Sequence, residues 1–329
     1  MIKRMASLKK YAILGVLFAL IVFFSVVSRS FLTAGNLLTV ARQVAMLGIS
    51  AVGMTCVILT AGIDLSVGSV MGITGIVAAL LMTEGGLPIF PAVLITLVMA
   101  AGIGLINGVF VAYLRVPALI TTLAMMTILR GLCYVLCDGM PVWGLPESFK
   151  RLGQGYLGAI PIPVLIMFGV FAVGWVFLNK TRNGRYIYGL GGNREAVRLS
   201  GVYTARIETL VYVLSGFLTG LAGIIMLSRI NTGQPKIGTG YEMDVITAVV
   251  LGGISIMGGE GSLLGVLVGV LIAGVLANGM ILMDVSEYYQ QITKGLVLLA
   301  AVTFDTLAKR KGSTARGAHK QESTMKGAA

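Results

Sequence analysis

The densest group of ionisable side chains in the chain lies in one polar stretch, 179–206, between two strongly apolar runs. Only 12% of the chain is charged, yet this stretch sets six cations against a single acid, Glu195. The cations are Lys180, Arg182, Arg185, Arg194, Arg198 and Arg206. Two interpretations are open: a solvated loop whose cations only fix membrane orientation, or a short helix that docks on a soluble partner.

The second half of this stretch has the pattern of a short helix. Asn193 suits an N-cap, Glu195 falls in the first turn, and Gly201 is a typical helix stop. The pattern predicts two turns of helix over 193–201.

The residues that enzymatic chemistry requires are missing from the sequence. The only histidine, His319, lies in a polar tail, and no nucleophile with a neighbouring base or cluster of carboxylates is visible. The chain contains no P-loop, and the 189–192 segment GLGG lacks the preceding strand and third glycine of a nucleotide fingerprint. Cys56, Cys133 and Cys137 all fall in apolar runs, where they pack as small hydrophobes. We therefore predict no catalytic residue, no metal site and no cofactor in this chain.

The composition indicates a membrane protein. Of the 329 residues 57% are hydrophobic, 45 are glycine, and the mean hydropathy is +0.93. Apolar runs recur nearly end to end, so helices rather than barrel strands should span the bilayer. The formal charge of +12 sits at membrane boundaries and does not indicate nucleic-acid binding.

The elements that must position the polar stretch are about ten apolar segments in an all-α polytopic bundle, residues 1–304, followed by a basic, disordered tail, 305–329. The segments are 11–28, 44–60, 65–82, 88–114, 117–137, 161–178, 207–227, 245–257, 262–283 and 290–304. The third and eighth are weak, so eight spans with re-entrant pieces is an alternative. The irregular 138–163 region is expected to form an external cap.

The distribution of cations predicts that both termini are cytoplasmic. With the N-terminus inside, 17 of the 25 Lys and Arg residues fall on the inner side. They comprise four at the N-terminus, Arg115, the six of the 179–206 loop and six in the tail. Such a bias follows the positive-inside rule.

Two stretches suggest an inverted repeat. An acidic turn at Asp64 is followed one helix later by Asn107, and the acidic residue Asp244 is followed likewise by Asn278. On the predicted topology the first pair faces the cytoplasm and the second pair the outside, as inverted halves require. Coincidence in a glycine-rich chain is the alternative.

Five stretches of this sequence resemble the permease subunits of bacterial ABC importers for monosaccharides, above all those of the ribose type. The matching stretches cover nearly the whole chain: VILTAGIDLSVGSVMG (57–72), GLINGVFVAYLRVPALITTLAMMTILRG (104–131), GRYIYGLGGNREAVRLSGV (184–202), GTGYEMDVITAVVLGGISIMGGEGSLLG (238–265) and the 290–305 end. The chain departs from the family at 116–119 and at its two cysteines of the fifth segment, which leaves the sugar undefined.

The resemblance implies a homodimer in the bacterial cytoplasmic membrane, with a tandem-cassette ATPase inside and a sugar-binding protein outside. It implies that the 191–201 helix couples to the ATPase through Gly191, Gly192, Asn193, Arg194, Glu195, Ala196, Arg198, Ser200 and Gly201. ATP would be bound by the partner. The translocation pathway is expected to use the polar residues Asp64, Ser66, Asn107, Asn231, Glu242, Asp244 and Asn278, although helix capping and interhelical contacts explain each one equally well.

Two other functions fit the same sequence. An ion-coupled secondary sugar symporter would transport without an ATPase. An ABC permease for another small solute, a branched-chain amino acid or a nucleoside, would share the architecture. A second permease chain could also replace the homodimer partner.

Overall fold

Helices form nearly all the regular structure in the computed structural model, which describes residues 2–326 and the side-chain surroundings of residues 13–304, 306 and 307. The helices are α1 (Ile2–Val27), α2 (Ala34–Leu59), α3 (Val67–Thr83), α4 (Ile89–Ala112), α5 (Ala118–Leu136), α6 (Lys150–Gln154), α7 (Ile162–Lys180), α8 (Arg182–Leu199), α9 (Thr204–Ile230), α10 (Tyr241–Leu251), α11 (Leu263–Leu282) and α12 (Glu287–Lys326). The predicted all-α fold class is confirmed.

The membrane-spanning character follows from the length and apolarity of these helices. In the described part of the chain, α2, α4, α5, α7, α9 and α11 are each long and apolar enough to cross a bilayer, which makes six. Shorter apolar helices occur at Ile13–Val27 and at α3. A polytopic helical membrane protein is thus confirmed. A helix lies in each of the ten predicted segments, but the number of full spans and the side of the termini stay predictions.

Helix α2 begins ten residues before the predicted apolar segment. Its first turns contain Asn36 and Arg42, polar residues that a hydropathy pattern excludes from a span. The Asn36 amide exchanges two hydrogen bonds with Asn278 of α11, at 2.9 and 2.8 Å. Arg42 donates to the Gln154 carbonyl oxygen and stacks on the ring of Tyr156. Contacts with residues distant in the sequence therefore stabilise the first turns of α2, where the residue types alone do not predict a helix.

Helices α2–α5 and α9–α12 pack in corresponding pairs. Helix α3 packs against α4, α5 and α9, and α10 packs against α11, α12 and α2. Helix α4 lies on α9 just as α11 lies on α2. In each half the short helix, α3 or α10, therefore lies between the two helices that follow it and the first long helix of the other half, α9 or α2.

Glycines at four-residue spacing build the seam between α4 and α9. A Cβ at Gly108 would lie 2.7 Å from the Thr209 Cα, and one at Gly216 would lie 3.1 Å from the Gly104 nitrogen. Small residues allow helix backbones to approach this closely in lipid. The seam lies within one bundle.

The 138–163 region is largely irregular, with short regular pieces. A 3₁₀ turn, Glu147–Phe149, leads into α6, and β1 (Tyr156–Leu157) pairs antiparallel with β2 (Ile160–Pro161). An isolated bridge joins Val142 to Gly233, which ties this region to the connection between α9 and α10. The predicted disordered tail, 305–329, falls almost entirely on residues whose side chains lie outside the described part, and it stays a prediction.

Candidate functional site

Helix α8 consists of two helical pieces that meet at Asn193. The first piece starts at Thr181, whose hydroxyl accepts from the Gly184 amide at 3.1 Å. At Asn193 the backbone is extended, with φ −158° and ψ 96°. The Asn193 side chain accepts from the Ala196 amide at 3.0 Å, which is the geometry of an N-cap.

The second piece ends as its sequence predicts. The Ser200 amide donates to the Ala196 carbonyl, the Ser200 hydroxyl donates to the same oxygen at 2.9 Å, and Gly201 has a φ of +80°. A left-handed glycine just past the last turn is a common helix terminator. The predicted helix over 193–201 and its N-cap are therefore confirmed. The helical piece from Arg182 to Asn193 was not predicted, and Thr181 was its only local signal.

The second piece exposes a charged pair. Arg198 forms a bidentate ion pair with Glu195, and both side chains are more than half exposed. The hydrogen bonds from Arg198 lower the pKa of the Glu195 carboxyl. The pair is therefore charged at neutral pH, and its contribution is lost only as the pH falls through that lowered value.

Two exposed large side chains follow this charged pair in the sequence. Leu199 is 75% exposed and Tyr203 is 73% exposed, and the guanidinium of Arg206 stacks 4.8 Å from the Tyr203 ring centroid. Large apolar and aromatic side chains beside a charged rim are typical of protein–protein contact sites. The sequence pattern directed attention to the polar residues and missed Leu199 and Tyr203.

The N-terminal end of the second piece is tied to the membrane bundle. Arg194 donates to the Glu208 carboxylate at 2.8 Å, and Glu208 lies buried at the start of α9. This ion pair joins the exposed piece to a long helix. Gly191 is half-buried on the bundle side, whereas Gly192 and the residues 193–196 are exposed.

A second polar group is buried where α2 gives way to α3. The Asp64 carboxylate accepts from the Ser66 amide at 3.0 Å, from the Ser66 hydroxyl at 2.6 Å and from the Ser215 hydroxyl at 2.8 Å. Asn107 donates to the Ser66 hydroxyl at 2.9 Å. We call Asp64, Ser66, Asn107 and Ser215 the Asp64 network. It connects the turn before α3 with α4 and α9, and all four side chains are fully buried.

The remaining predicted pathway residues lie elsewhere. Asp244 forms an ion pair with Lys294 of α12 at 2.8 Å, and Asn278 pairs with Asn36. Asn231 caps α9 in a left-handed conformation, with φ 60°. Glu242 lies at the start of α10 against Gly68. The structure thus joins Asp64, Ser66 and Asn107 in one hydrogen-bond network, Glu242 lies against the first turn of α3, and Asn231, Asp244 and Asn278 have separate contacts.

Arg130 is a further polar residue that contacts the connection between α9 and α10, and the sequence did not predict this contact. Its guanidinium, on α5, donates to the carbonyl oxygens of Pro235 and Ile237 at 2.8 and 2.7 Å. It therefore fixes the connection between α9 and α10 from the opposite half of the bundle. Side-chain contacts of this range are invisible to local pattern analysis.

Comparison with known proteins defines the class as a membrane permease of a solute transport system. The chain belongs to the family described as "Branched-chain amino acid transport system / permease component", which matches residues 36–302. It is 48% identical to the ribose import permease protein RbsC of Escherichia coli (strain K12), over 88% of this chain and 91% of the relative. The RbsC proteins of Haemophilus influenzae (strain Rd) and Bacillus subtilis (strain 168) are 47% and 43% identical, each over 88% of this chain and 90% of the relative. No solved structure matches the chain.

Proposed function

We propose that this chain is the permease subunit of an ATP-driven importer for a ribose-like monosaccharide, in which it forms the translocation pathway by alternating access. The observation that carries this proposal is its identity of 43–48% to three ribose import permeases over nearly their whole length. The related permeases are transport subunits, and the chain is accordingly not an enzyme. Alternating access would move the two corresponding halves, α2–α5 and α9–α12, against each other.

The coupling role of α8 is supported by its geometry. A short helix that is capped at both ends, charged, and flanked by exposed Leu199 and Tyr203 presents a preformed surface to a soluble partner. The residues proposed to couple are these two exposed side chains and the nine predicted from the sequence, which are Gly191, Gly192, Asn193, Arg194, Glu195, Ala196, Arg198, Ser200 and Gly201. The partner is a separate tandem-cassette ATPase that binds ATP, and the permease itself is proposed to need no cofactor.

The contacts within the bundle also support the proposed topology. One end gathers α8, the end of α2 and the connection between α10 and α11. The other end gathers the contacts of Asn36 with Asn278, Asp244 with Lys294, and Val142 with Gly233. This grouping fits ten segments with cytoplasmic termini, and it fits eight spans with re-entrant pieces equally well. Besides the ATPase, the proposed partners are a second copy of the permease and an external sugar-binding protein. The permease is proposed to lie in the lipid of the bacterial cytoplasmic membrane.

The predicted pathway residues are proposed to act in two ways. The Asp64 network is fully buried and internally hydrogen-bonded, which suits a fixed frame beside the pathway. The Oδ1 atoms of Asn107, at the edge of this network, and of Asn231 are buried without a hydrogen-bond partner, so both side chains retain capacity to accept from a hydroxyl group. Glu242, Asp244 and Asn278 lie at helix ends on the proposed outer side.

A reversal of the charged pair tests docking through α8. The double substitution Glu195→Lys with Arg198→Glu keeps an i, i+3 ion pair but reverses the charge that the partner meets. We expect the folded permease to lose co-purification of the ATPase. The matched control reverses a second i, i+3 pair, Glu147→Lys with Lys150→Glu, in the 138–163 region, where Glu147 is exposed and Lys150 is half-buried. Equal ATPase recovery from both double variants would exclude the docking role.

A branched-chain amino acid is the second candidate solute, because the family to which the chain belongs is described by that class of solute. Competition for uptake separates the two in vesicles that contain the permease, the ATPase and the binding protein. We expect unlabelled ribose, and not leucine, to displace labelled ribose from the import reaction. Import of leucine alone would assign the chain to the second class of solute.

A further inference from the structure

Three backbone segments that are distant in the sequence meet at the bundle end that carries α8. They are residues 59–61 at the end of α2, Gly191 of α8, and residues 258–259 in the connection between α10 and α11. The Gly259 amide donates to the Leu59 carbonyl oxygen at 2.9 Å. We call the meeting of these three segments the glycine junction. It joins the first half, the second half and the proposed coupling helix at one point.

The contact at this junction is made by backbone atoms. A Cβ at Gly191 would lie closer than 3.0 Å to the Leu59 carbonyl oxygen and to the Gly259 nitrogen, a separation that real Cβ atoms essentially never show. A Cβ at Gly258 would lie 2.8 Å from the Ala61 nitrogen and 2.9 Å from the Gly191 Cα. No side chain therefore separates the three segments, and only glycine fits at positions 191 and 258.

The junction also contains a strained residue. Ala61 has a φ of 62°, in the left-handed region that alanine rarely adopts, and Gly258 and Gly259 have φ values of 80° and 72°. Such strain persists only where the surrounding structure imposes it. The conformation of Ala61 is thus held in place by its neighbours.

From Ala61 the chain runs directly into the Asp64 network. Between them, the Ile63 carbonyl accepts from the Thr122 hydroxyl of α5 at 3.2 Å. Asp64 then reaches α9 through Ser215, and Ser66 reaches α4 through Asn107. A displacement of residues 59–61 therefore reaches α4, α5 and α9 through hydrogen bonds of fixed geometry.

We propose that the glycine junction transmits the movement of α8 to both halves of the permease, with Gly191 as the positioning residue of ATP-coupled transport. Backbone in direct contact shifts as a unit, whereas a flexible side chain between the segments would absorb a small displacement by changing rotamer. The inference rests on the proposed docking of α8 on the ATPase and adds where the movement enters the bundle.

The test compares two glycine-to-alanine variants in proteoliposomes that contain the permease, the ATPase and the binding protein. Gly191→Ala inserts a methyl group into the junction. Gly169→Ala adds the same methyl group in the interior of α7, where a Cβ would meet nothing within 4 Å. We expect Gly191→Ala to retain the ATPase on co-purification and to lose about tenfold of the ribose imported per ATP hydrolysed, and Gly169→Ala to match the unaltered permease in both measurements.

Two outcomes would overturn the inference. Import per ATP equal to that of Gly169→Ala would show that the junction is not needed. Loss of ATPase binding by folded Gly191→Ala would place this residue in the docking surface instead. The docking proposal is judged separately, by the reversed Glu195 and Arg198 pair, so the failure of one is distinguishable from the failure of the other.

A second measurement needs no substitution and covers the case in which Gly191→Ala does not fold. Hydrogen exchange is followed in the complete complex before and after ATP is added. We expect peptides that contain residues 58–62, 189–192 and 257–260 to change their exchange together, since they share one contact. A change confined to 189–192 would contradict transmission through the junction.

Discussion

Asp64 shows how a buried carboxylate is accommodated without a cation. Its two oxygens accept three hydrogen bonds from Ser66 and Ser215, and the side chain is 1% exposed. Burial of an ionisable group is tolerated only when its hydrogen-bonding capacity is met. Its role in this structure is to hold the turn before α3 against α9.

Removal of the Asp64 side chain should destabilise the permease more than removal of its charge. Asp64→Ala leaves the buried donors of Ser66 and Ser215 without an acceptor, which costs about 1–3 kcal/mol for such a group. Asp64→Asn keeps an acceptor for Ser66, and the Ser215 hydroxyl can rotate to accept from the new amide. Thermal unfolding in detergent should therefore show a much larger drop in midpoint for Ala than for Asn.

Asp138→Asn is the control for this comparison, because Asp138 is exposed. It should leave the unfolding midpoint unchanged. An Asp64→Asn variant as unstable as Asp64→Ala would mean that the charge itself is required, contrary to a framing role.

The partners of Asp64 could not be predicted from the sequence. The polar turn at residues 62–66, which contains Asp64 and its partner Ser66, was recognised because glycine, aspartate and serine follow an apolar run. Ser215, however, lies in the middle of an apolar helix, where a serine gives no local signal. Which serine reaches the carboxylate depends on how α9 packs on α2, and that packing is a property of the whole bundle.

At the scale of elements, the predictable pieces are those with local causes. The helix over 193–201 was predicted because its cap, its acidic first turn and its terminating glycine are neighbours in the sequence. The start of α2 was missed because its stabilising contact, Asn36 with Asn278, joins α2 to α11, which are far apart in the sequence. The glycine junction was missed for the same reason, although Gly191 was recognised as part of the coupling segment.

The N-cap at Asn193 should contribute to docking by keeping the second piece of α8 folded. Asn193→Ala removes the hydrogen bond to the Ala196 amide, which costs about 1 kcal/mol. The affinity of the permease for the ATPase should then fall about fivefold. Asn193→Ser, which restores a cap, should recover most of the affinity in a titration of the ATPase against the purified permease.

Asn179→Ala is a matched control, since the Asn179 amide is exposed and donates only to the Trp175 carbonyl within α7. Its affinity for the ATPase should equal that of the unaltered permease. If Asn193→Ser binds as weakly as Asn193→Ala, the amide group itself contacts the partner and the capping explanation is wrong.

At the scale of the whole molecule, the corresponding packing of α2–α5 and α9–α12 fits ion-driven as well as ATP-driven transport, and the similarity to ribose import permeases favours the ATP-driven class. We expect vesicles that contain the permease without the ATPase to accumulate no ribose after a pH or sodium jump. Vesicles with the ATPase, ATP and the binding protein should accumulate it. Uptake of labelled ribose measures both.

The outcome separates the two transport classes. Accumulation that depends on the ion jump and not on ATP would identify a secondary symporter and exclude the ATP-driven mechanism. Addition of an ionophore is the control, because it should abolish symport and leave ATP-driven import intact.

The glycine junction has a consequence for how the protein is made. Leu59 leaves the ribosome early in synthesis, Gly191 follows much later, and Gly259 is added only when most helices have been produced. Contacts between such distant segments form late, after the intervening chain is in place. In a permease that is still being synthesised, α8 is therefore exposed before the glycine junction has formed. Assembly with the ATPase would yield a working transporter only once the second half has been inserted.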